Sequence, residues 1–148
     1  MRAGNVLMVC LGNICRSPLA HGIFEHLLND KRVLVDSAGT ANYHSGASPD
    51  PRSIATAKAH GIDISHQKAR QFGRADFDAF DYIYVMDIEN LHNVHALATT
   101  TAEKNKVRLL LETEEVEDPY YGGPEGFEIV HKKIHTACQK ILEEWNRL

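Results

Sequence analysis

The stretch "CLGNICRSP", residues 10 to 18, gathers the groups in this chain that are best placed to do chemistry. Two of the three cysteines stand here, Cys10 and Cys15, and Arg16, Ser17 and Pro18 follow at once. Consecutive backbone N–H groups at a strand-to-helix turn form a concave nest for an anion. A helix N-terminus adds free donors and a partial positive charge. Arg16 brings a planar fork that can hold two oxygens of one phosphate. Gly12 permits a positive φ angle and Asn13 tolerates one. A thiol beside a helix N-terminus and an arginine is pushed toward its thiolate. Cys10, at the foot of this cradle, is therefore read as a nucleophile aimed at a bound phosphoryl group. Arg16 and the amides of Leu11, Gly12, Asn13, Ile14 and Cys15 would stabilise the charge that develops.

Other chemistries fit the stretch less well. Cys10 and Cys15 have no second ligand pair for zinc, and Cys138 lies on an apolar helix stripe. The lysine and second glycine of a nucleotide P-loop are missing. Two roles stay open for Cys15: packing behind the loop, or trapping an oxidised Cys10 as a disulfide.

The elements that must position this loop can be read around it. Residues 5–10, "NVLMVC", form a short apolar run rich in β-branched side chains, which predicts a fully buried strand. Ser17 suits a helix N-cap and Pro18 the first helical position. Ala20, Ile23, Phe24, Leu27 and Leu28 then recur at helical spacing. Residues 33–40 read as a second strand and turn, 51–61 as a helix ended by Gly61, 82–87 as a third strand, and 107–111 as a fourth. Asp87 is a candidate N-cap for the helix that follows it. The last helix carries Phe127, Val130, Ile134, Cys138, Ile141, Leu142 and Trp145 on one stripe.

Buried strands alternating with helices predict a single α/β domain over residues 1–148 with a parallel sheet and right-handed crossovers. Ligands of such sheets bind beyond the carboxyl ends of the strands. That rule places the loop after Val9, the segment near Ser37 and the acidic segment 112–126 on one rim. The acidic segment has no periodicity, and a loop of that length in a compact domain is usually functional or mobile.

Composition narrows the function classes. The 148 residues are 43% apolar and 24% charged, ordinary for a globular protein with a real core. A net charge of −4 without a Lys/Arg run argues against nucleic-acid binding. No apolar run is long enough to span a membrane. The N-terminal run lacks the length and cleavage pattern of a signal peptide. An odd cysteine count without such a signal fits a reducing, cytoplasmic setting.

Five acids crowd residues 112–118, and only Asp118 precedes a proline, which restricts its backbone. Tyr120 and Tyr121 follow, and one of them could wall a pocket for an aromatic group. The same residues would also serve as a Pro-initiated turn with exposed aromatics. His131 and His135 are spaced i,i+4, and His92 and His95 i,i+3, but no third metal ligand accompanies either pair. Both pairs are read as solvated or partly buried helix faces.

With these residues in view, "VCLGNICRSPLA" resembles the phosphate loop of the low-molecular-weight protein tyrosine phosphatases. "DSAGT" (36–40), "YVMD" with Asn90, and "EDPYYG" (117–122) extend the resemblance over nearly the whole chain. It implies a four-stranded parallel sheet flanked by helices on both faces, with no metal or other cofactor. It also implies Cys10 as nucleophile, Arg16 as phosphate-binding arginine and Asp118 as general acid. Asn13 and Ser17 would hold the loop, with the Ser17 hydroxyl stabilising the thiolate. Ser37 would support Asn13, and Tyr43 would line the pocket mouth. The family's histidine before x-A-R-Q has no clear counterpart, because "SHQKARQF" has one residue more; neither His66 nor Gln67 is assigned to it.

The implied substrate is a phosphotyrosine protein or a small aryl phosphate, with phosphate and vanadate as inhibitors. Three alternatives use the same cradle. Thioredoxin-coupled arsenate reductases need two further cysteines in mid-chain, and residues 16–137 contain none. Protein arginine phosphatases carry threonine where this chain has Ile14. A non-catalytic thiol-redox or anion-binding module would use Cys10 and Cys15 but leaves Asp118 without a role.

Overall fold

A computed structural model describes residues 2–30, 32–120 and 122–145. The elements run β1 (Val6–Cys10), α1 (Arg16–Leu27), β2 (Val35–Gly39), α2 (Pro51–Ala59), α3 (Asp76–Ala79), β3 (Tyr82–Val85), α4 (Ile88–Leu97), α5 (Thr101–Asn105), β4 (Val107–Leu109) and α6 (Pro124–Trp145). All three strand pairings are parallel, in the order β2-β1-β3-β4. The chain leaves β1 in one direction along the sheet and later continues in the other. The carboxyl end of β1 is thus the topological switch point, where ligands of open α/β sheets bind. Its last residue is Cys10, in register with Gly39 of β2.

Strand alternation divides the core into two layers. Val6, Met8, Cys10, Val35, Tyr84 and Met86 face α1, α2 and α6. Leu7, Val9, Ala38, Ile83 and Val85 face the other side, against Phe72, Phe77, Phe80 and Val94. Every residue of β1 is buried, as the apolar run requires. On the first side α6 lies against α1, where Phe24 and Trp145 meet edge to face with centroids 5.5 Å apart. Such a pair is worth about 0.5–1.5 kcal/mol beyond the area it buries.

Three expectations change. Helix α1 begins at Arg16, with Cys15 in the cap position making no side-chain cap bond, so Ser17 and Pro18 stand inside the first turn. The Ser17 hydroxyl is spent on the loop instead. Strand β4 stops at Leu109 because the chain turns there, with Glu112 N–H on the Leu109 carbonyl and Glu112 at φ 62°. Helices α3 and α5 were not anticipated: four and five residues are too few to show a period. Asp87 does cap α4, its Oδ1 accepting the Asn90 N–H at 2.8 Å. No helix among the described residues is long and apolar enough to cross a membrane.

One packing feature of α6 sets a pH dependence. His131 is buried, stacks on His60 with centroids 3.9 Å apart, and leaves Nδ1 without a hydrogen-bond partner. Burial, then the neighbouring His60, hold its pKa down at about 4. The unfolded chain therefore takes up a proton that the folded chain refuses. Stability is complete above about pH 6.5 and declines as pH falls toward 4, with about 2 kcal/mol lost by pH 5. Urea midpoints between pH 7 and 5 should fall less for His131→Leu than for the wild type. Parallel declines would show that His131 is not the group involved.

Candidate active site

The loop between β1 and α1 is held from outside by its carbonyl groups. Thr40 N–H donates to the Cys10 carbonyl at 2.9 Å, Ala41 N–H to Leu11 at 3.0 Å, and Asp50 N–H to Ile14 at 2.8 Å. The Ser53 hydroxyl donates to the Cys15 carbonyl at 3.2 Å. Among the described residues no hydrogen bond uses the N–H groups of Leu11 to Cys15. With these four carbonyls bonded outward and the amides unspent, the loop is a nest of donors.

Two glycines allow this by close approach, and neither has a positive φ. A Cβ on Gly39 would come within 2.7 Å of the Leu11 oxygen, so β2 could not lie this near the loop. A Cβ on Gly12 would meet the His44 ring at 2.9 Å. The left-handed residue of the loop is Asn13, at φ 58°. The expected φ roles of Gly12 and Asn13 are thus resolved in favour of Asn13.

Asn13 directs a short polar chain. Its Oδ1 accepts the Arg70 N–H at 3.1 Å, which fixes the orientation of the amide. Its Nδ2 then donates to Ser17 Oγ at 2.7 Å. Because that oxygen accepts from Asn13, the Ser17 proton is free to point at Cys10 Sγ, 3.0 Å away. The hydroxyl is thus placed to donate to the sulfur. Ser37, expected to support Asn13, instead meets His21 Nδ1 at 3.2 Å. His66 is exposed, whereas Gln67 is buried and donates to the Pro18 carbonyl at 3.2 Å.

Arg16 is buried, and its Nη1 donates to Asp87 Oδ2 at 2.7 Å and to the Val116 carbonyl at 2.9 Å. Its Nη2 lies 4.0 Å from Asp118 Oδ2. Burial works against its charge, but the Cys10 sulfur and the two carboxylates outweigh burial and raise its pKa above the usual value. Val116 anchors the acidic segment as well, its N–H on the Met86 carbonyl at 2.7 Å. Asp118 stands just beyond this anchor, exposed, with Oδ1 accepting the Tyr120 N–H at 3.0 Å.

These residues line one cleft of about 230 Å³: Cys10, Leu11, Gly12, Ile14, Cys15 and Arg16 from the loop, Tyr43 and His44 from one wall, Asp118 and Tyr120 from the other. Tyr43 is 75% exposed at the mouth. Arg52 of α2 stacks over Tyr120 with its guanidinium carbon 5.3 Å from the ring centroid, and Asp50 holds Arg52 through two hydrogen bonds. Tyr121 lies outside the described residues. Asp87 and His44 were not singled out as site residues from the sequence. Asp87 was legible only as a cap, and nothing local in the sequence marks its pairing with a residue 71 positions away.

The cysteines differ sharply. Burial first, then Asp50, Cys10 and Asp118, push the Cys15 thiol up to about 12, so at neutral pH it is protonated. Burial alone pushes the Cys138 thiol up. Among the described residues no group of three His, Cys, Asp or Glu side chains could hold a metal ion.

Comparison with known proteins agrees with this geometry. A sequence model of the family described as low molecular weight phosphotyrosine protein phosphatase matches residues 5–148. The human protein of that name is 41% identical over 150 aligned positions, covering 95% of this chain and 94% of the relative. A protein tyrosine phosphatase structure from Entamoeba histolytica superposes with a TM-score of 0.91 at 32% identity, covering 97% of both chains. A structure named Drosophila arginine phosphatase gives a TM-score of 0.87 at 35% identity, covering 95% of this chain and 97% of that one.

Iodoacetate at neutral pH should alkylate Cys10 ahead of Cys15 and Cys138, and inorganic phosphate should slow that reaction. Peptide mapping that finds Cys15 labelled as fast as Cys10 would contradict the assignment. The nest, the asymmetric thiols and the match over residues 5–148 lead to one conclusion: the chain belongs to the low-molecular-weight phosphotyrosine protein phosphatase family.

Proposed function

We propose that this protein hydrolyses phosphotyrosine esters through a phosphocysteine at Cys10. The observation that carries the reading is the convergence of Cys10, Arg16 and Asp118 on one cleft walled by Tyr43 and Tyr120. The phosphate dianion would sit in the nest with the Arg16 guanidinium on its oxygens. The Cys10 thiolate attacks phosphorus in line, an S–P bond forms and the bond to the tyrosyl oxygen breaks. Asp118 gives its proton to the departing phenolate. In the second half Asp118, now a carboxylate, takes a proton from water. The hydroxide so formed attacks phosphorus, the S–P bond breaks, and orthophosphate leaves with the thiolate restored.

The donors are all protein groups, so no step calls on a metal. Phosphate and vanadate, as tetrahedral or trigonal oxyanions, would compete for the nest. A nucleophile that must stay reduced supports a cytoplasmic setting. Tyr43 and Tyr120 suit an aromatic ring at the mouth, and Ile14 presents no hydroxyl to orient water, which supports a phenolic over a guanidino leaving group. Arsenate reduction is disfavoured because Cys15 is held as a neutral thiol and no other cysteine lines the cleft.

Turnover of p-nitrophenyl phosphate at mildly acidic pH should persist in excess chelator. Cys10→Ser should abolish turnover yet retain vanadate binding. Acid–base help is typically worth ~10²–10⁴ in rate, so Asp118→Asn should slow phenyl phosphate far more than the nitrophenyl ester. Equal slowing of the two esters would remove Asp118 from the acid role.

A further inference from the structure

Residues 70–76 lie outside the cleft, yet a continuous set of hydrogen bonds joins them to the sulfur of Cys10. Arg70 forks onto Asp76, Nη1 to Oδ2 at 3.1 Å and Nη2 to Oδ1 at 3.0 Å. Its Nε donates to Asp36 Oδ2 at 3.1 Å. Asp76 is buried, and its Oδ2 also accepts the Gly73 N–H at 2.9 Å. The segment docks on the end of β2: Gly39 N–H donates to the Arg70 carbonyl at 2.8 Å, and Phe72 N–H to the Gly39 carbonyl at 2.7 Å. The remaining main-chain group of Arg70, its N–H, is the donor that orients the Asn13 amide.

Each bond in the series has a fixed sense. The Arg70 N–H can only donate, so Oδ1 of Asn13 must face it and Nδ2 must face Ser17. Ser17 Oγ then accepts, and its proton goes to Cys10. The Arg70–Asn13 bond, at 3.1 Å, is near the long end of the normal range, so a displacement of a few tenths of an ångström weakens it. If it is lost, the Asn13 amide is free to turn over and present Oδ1 to Ser17. The hydroxyl then donates to Asn13 rather than to the sulfur. A bidentate Arg–carboxylate pair is a rigid restraint against such a displacement.

We propose that Arg70 and Asp76 are positioning residues for the nucleophile: their paired side chains hold the Arg70 N–H against Asn13, and so aim the Ser17 hydroxyl at Cys10. The inference rests on the reading of Cys10 as nucleophile. Neither residue lines the cleft.

The test compares Asp76→Asn, Arg70→Lys and Asp76→Glu with Glu103→Gln. The last breaks the Arg74–Glu103 ion pair, whose side chains bond Leu97, Thr99 and each other rather than Arg70, Asp76, Asn13 or Ser17. The readouts are the pH profile of Cys10 alkylation by iodoacetate, the inhibition constant of inorganic phosphate, and thermal melting. Cys15, Arg16, Tyr43, His44, Asp118 and Tyr120 line the same cleft as the sulfur and are unchanged in every variant. Asp76→Asn and Arg70→Lys should move the alkylation profile to higher pH and weaken phosphate about threefold or more, as expected within one coupled network. Asp76→Glu should recover part of the loss, and Glu103→Gln should match the wild type in both readouts.

An unshifted alkylation profile in Asp76→Asn, with only the melting temperature lowered, would overturn the proposal. So would an equal shift in Glu103→Gln. If Asp76→Asn does not fold, Arg70→Lys, which keeps the charge and loses the fork, decides the matter by the same readouts. Failure of the wild type to hydrolyse aryl phosphates would defeat the proposed function alone, because alkylation still reports the thiol.

Discussion

Peptide groups carry a donor and an acceptor, and the loop between Cys10 and Arg16 works because the two are sorted. The carbonyls of Cys10, Leu11, Ile14 and Cys15 are taken by Thr40, Ala41, Asp50 and Ser53, which leaves the amides as a cluster of unspent donors. Few arrangements of backbone can do this. β2 must come within a distance that only Gly39 allows, Gly12 must leave room for His44, and Asn13 must adopt a left-handed conformation. The parallel sheet supplies the fixed frame, since β1 and β2 end in register at Cys10 and Gly39. The rest of the site is arranged around that nest of donors.

The same sorting separates the two cysteines. Cys10 ends a buried strand at the switch point and meets the Ser17 hydroxyl, whereas Cys15, lining the same cleft near Asp50 and Ser53, stays a neutral thiol. Arg16 links three parts of the fold. It joins the loop to Asp87 at the start of α4 and to Val116 in the acidic segment, and it reaches toward Asp118. A long irregular segment is thereby pinned at Val116, two residues before Asp118. Asp118 itself stays exposed, just beyond the buried Val116 anchor.

The strands, the long helices and the phosphate loop were legible in the sequence because each has a local signal: an apolar run, a 3.6-residue stripe, or cysteine and arginine at a fixed spacing. Pairings across long separations left no such trace. The Arg16–Asp87, Arg70–Asn13 and His21–Ser37 contacts depend on how the crossovers fold, and the residues involved look like a cap, a surface arginine and a helix histidine. Local rules also misled at Ser17 and Gly12. Ser17 has the ideal side chain for a helix cap, yet tertiary context gives its hydroxyl to Asn13 and Cys10. Gly12 has the freedom for a positive φ, yet it is needed for the approach of a ring.

Covalent transfer of phosphorus to Cys10 is the claim on which the functional reading stands. Acid quenching during steady-state turnover of a phosphorus-labelled aryl phosphate tests it directly. Label should be trapped on the peptide that contains Cys10, and it should vanish in Cys10→Ser. Sustained turnover with no trapped label, or with label on another residue, would contradict it.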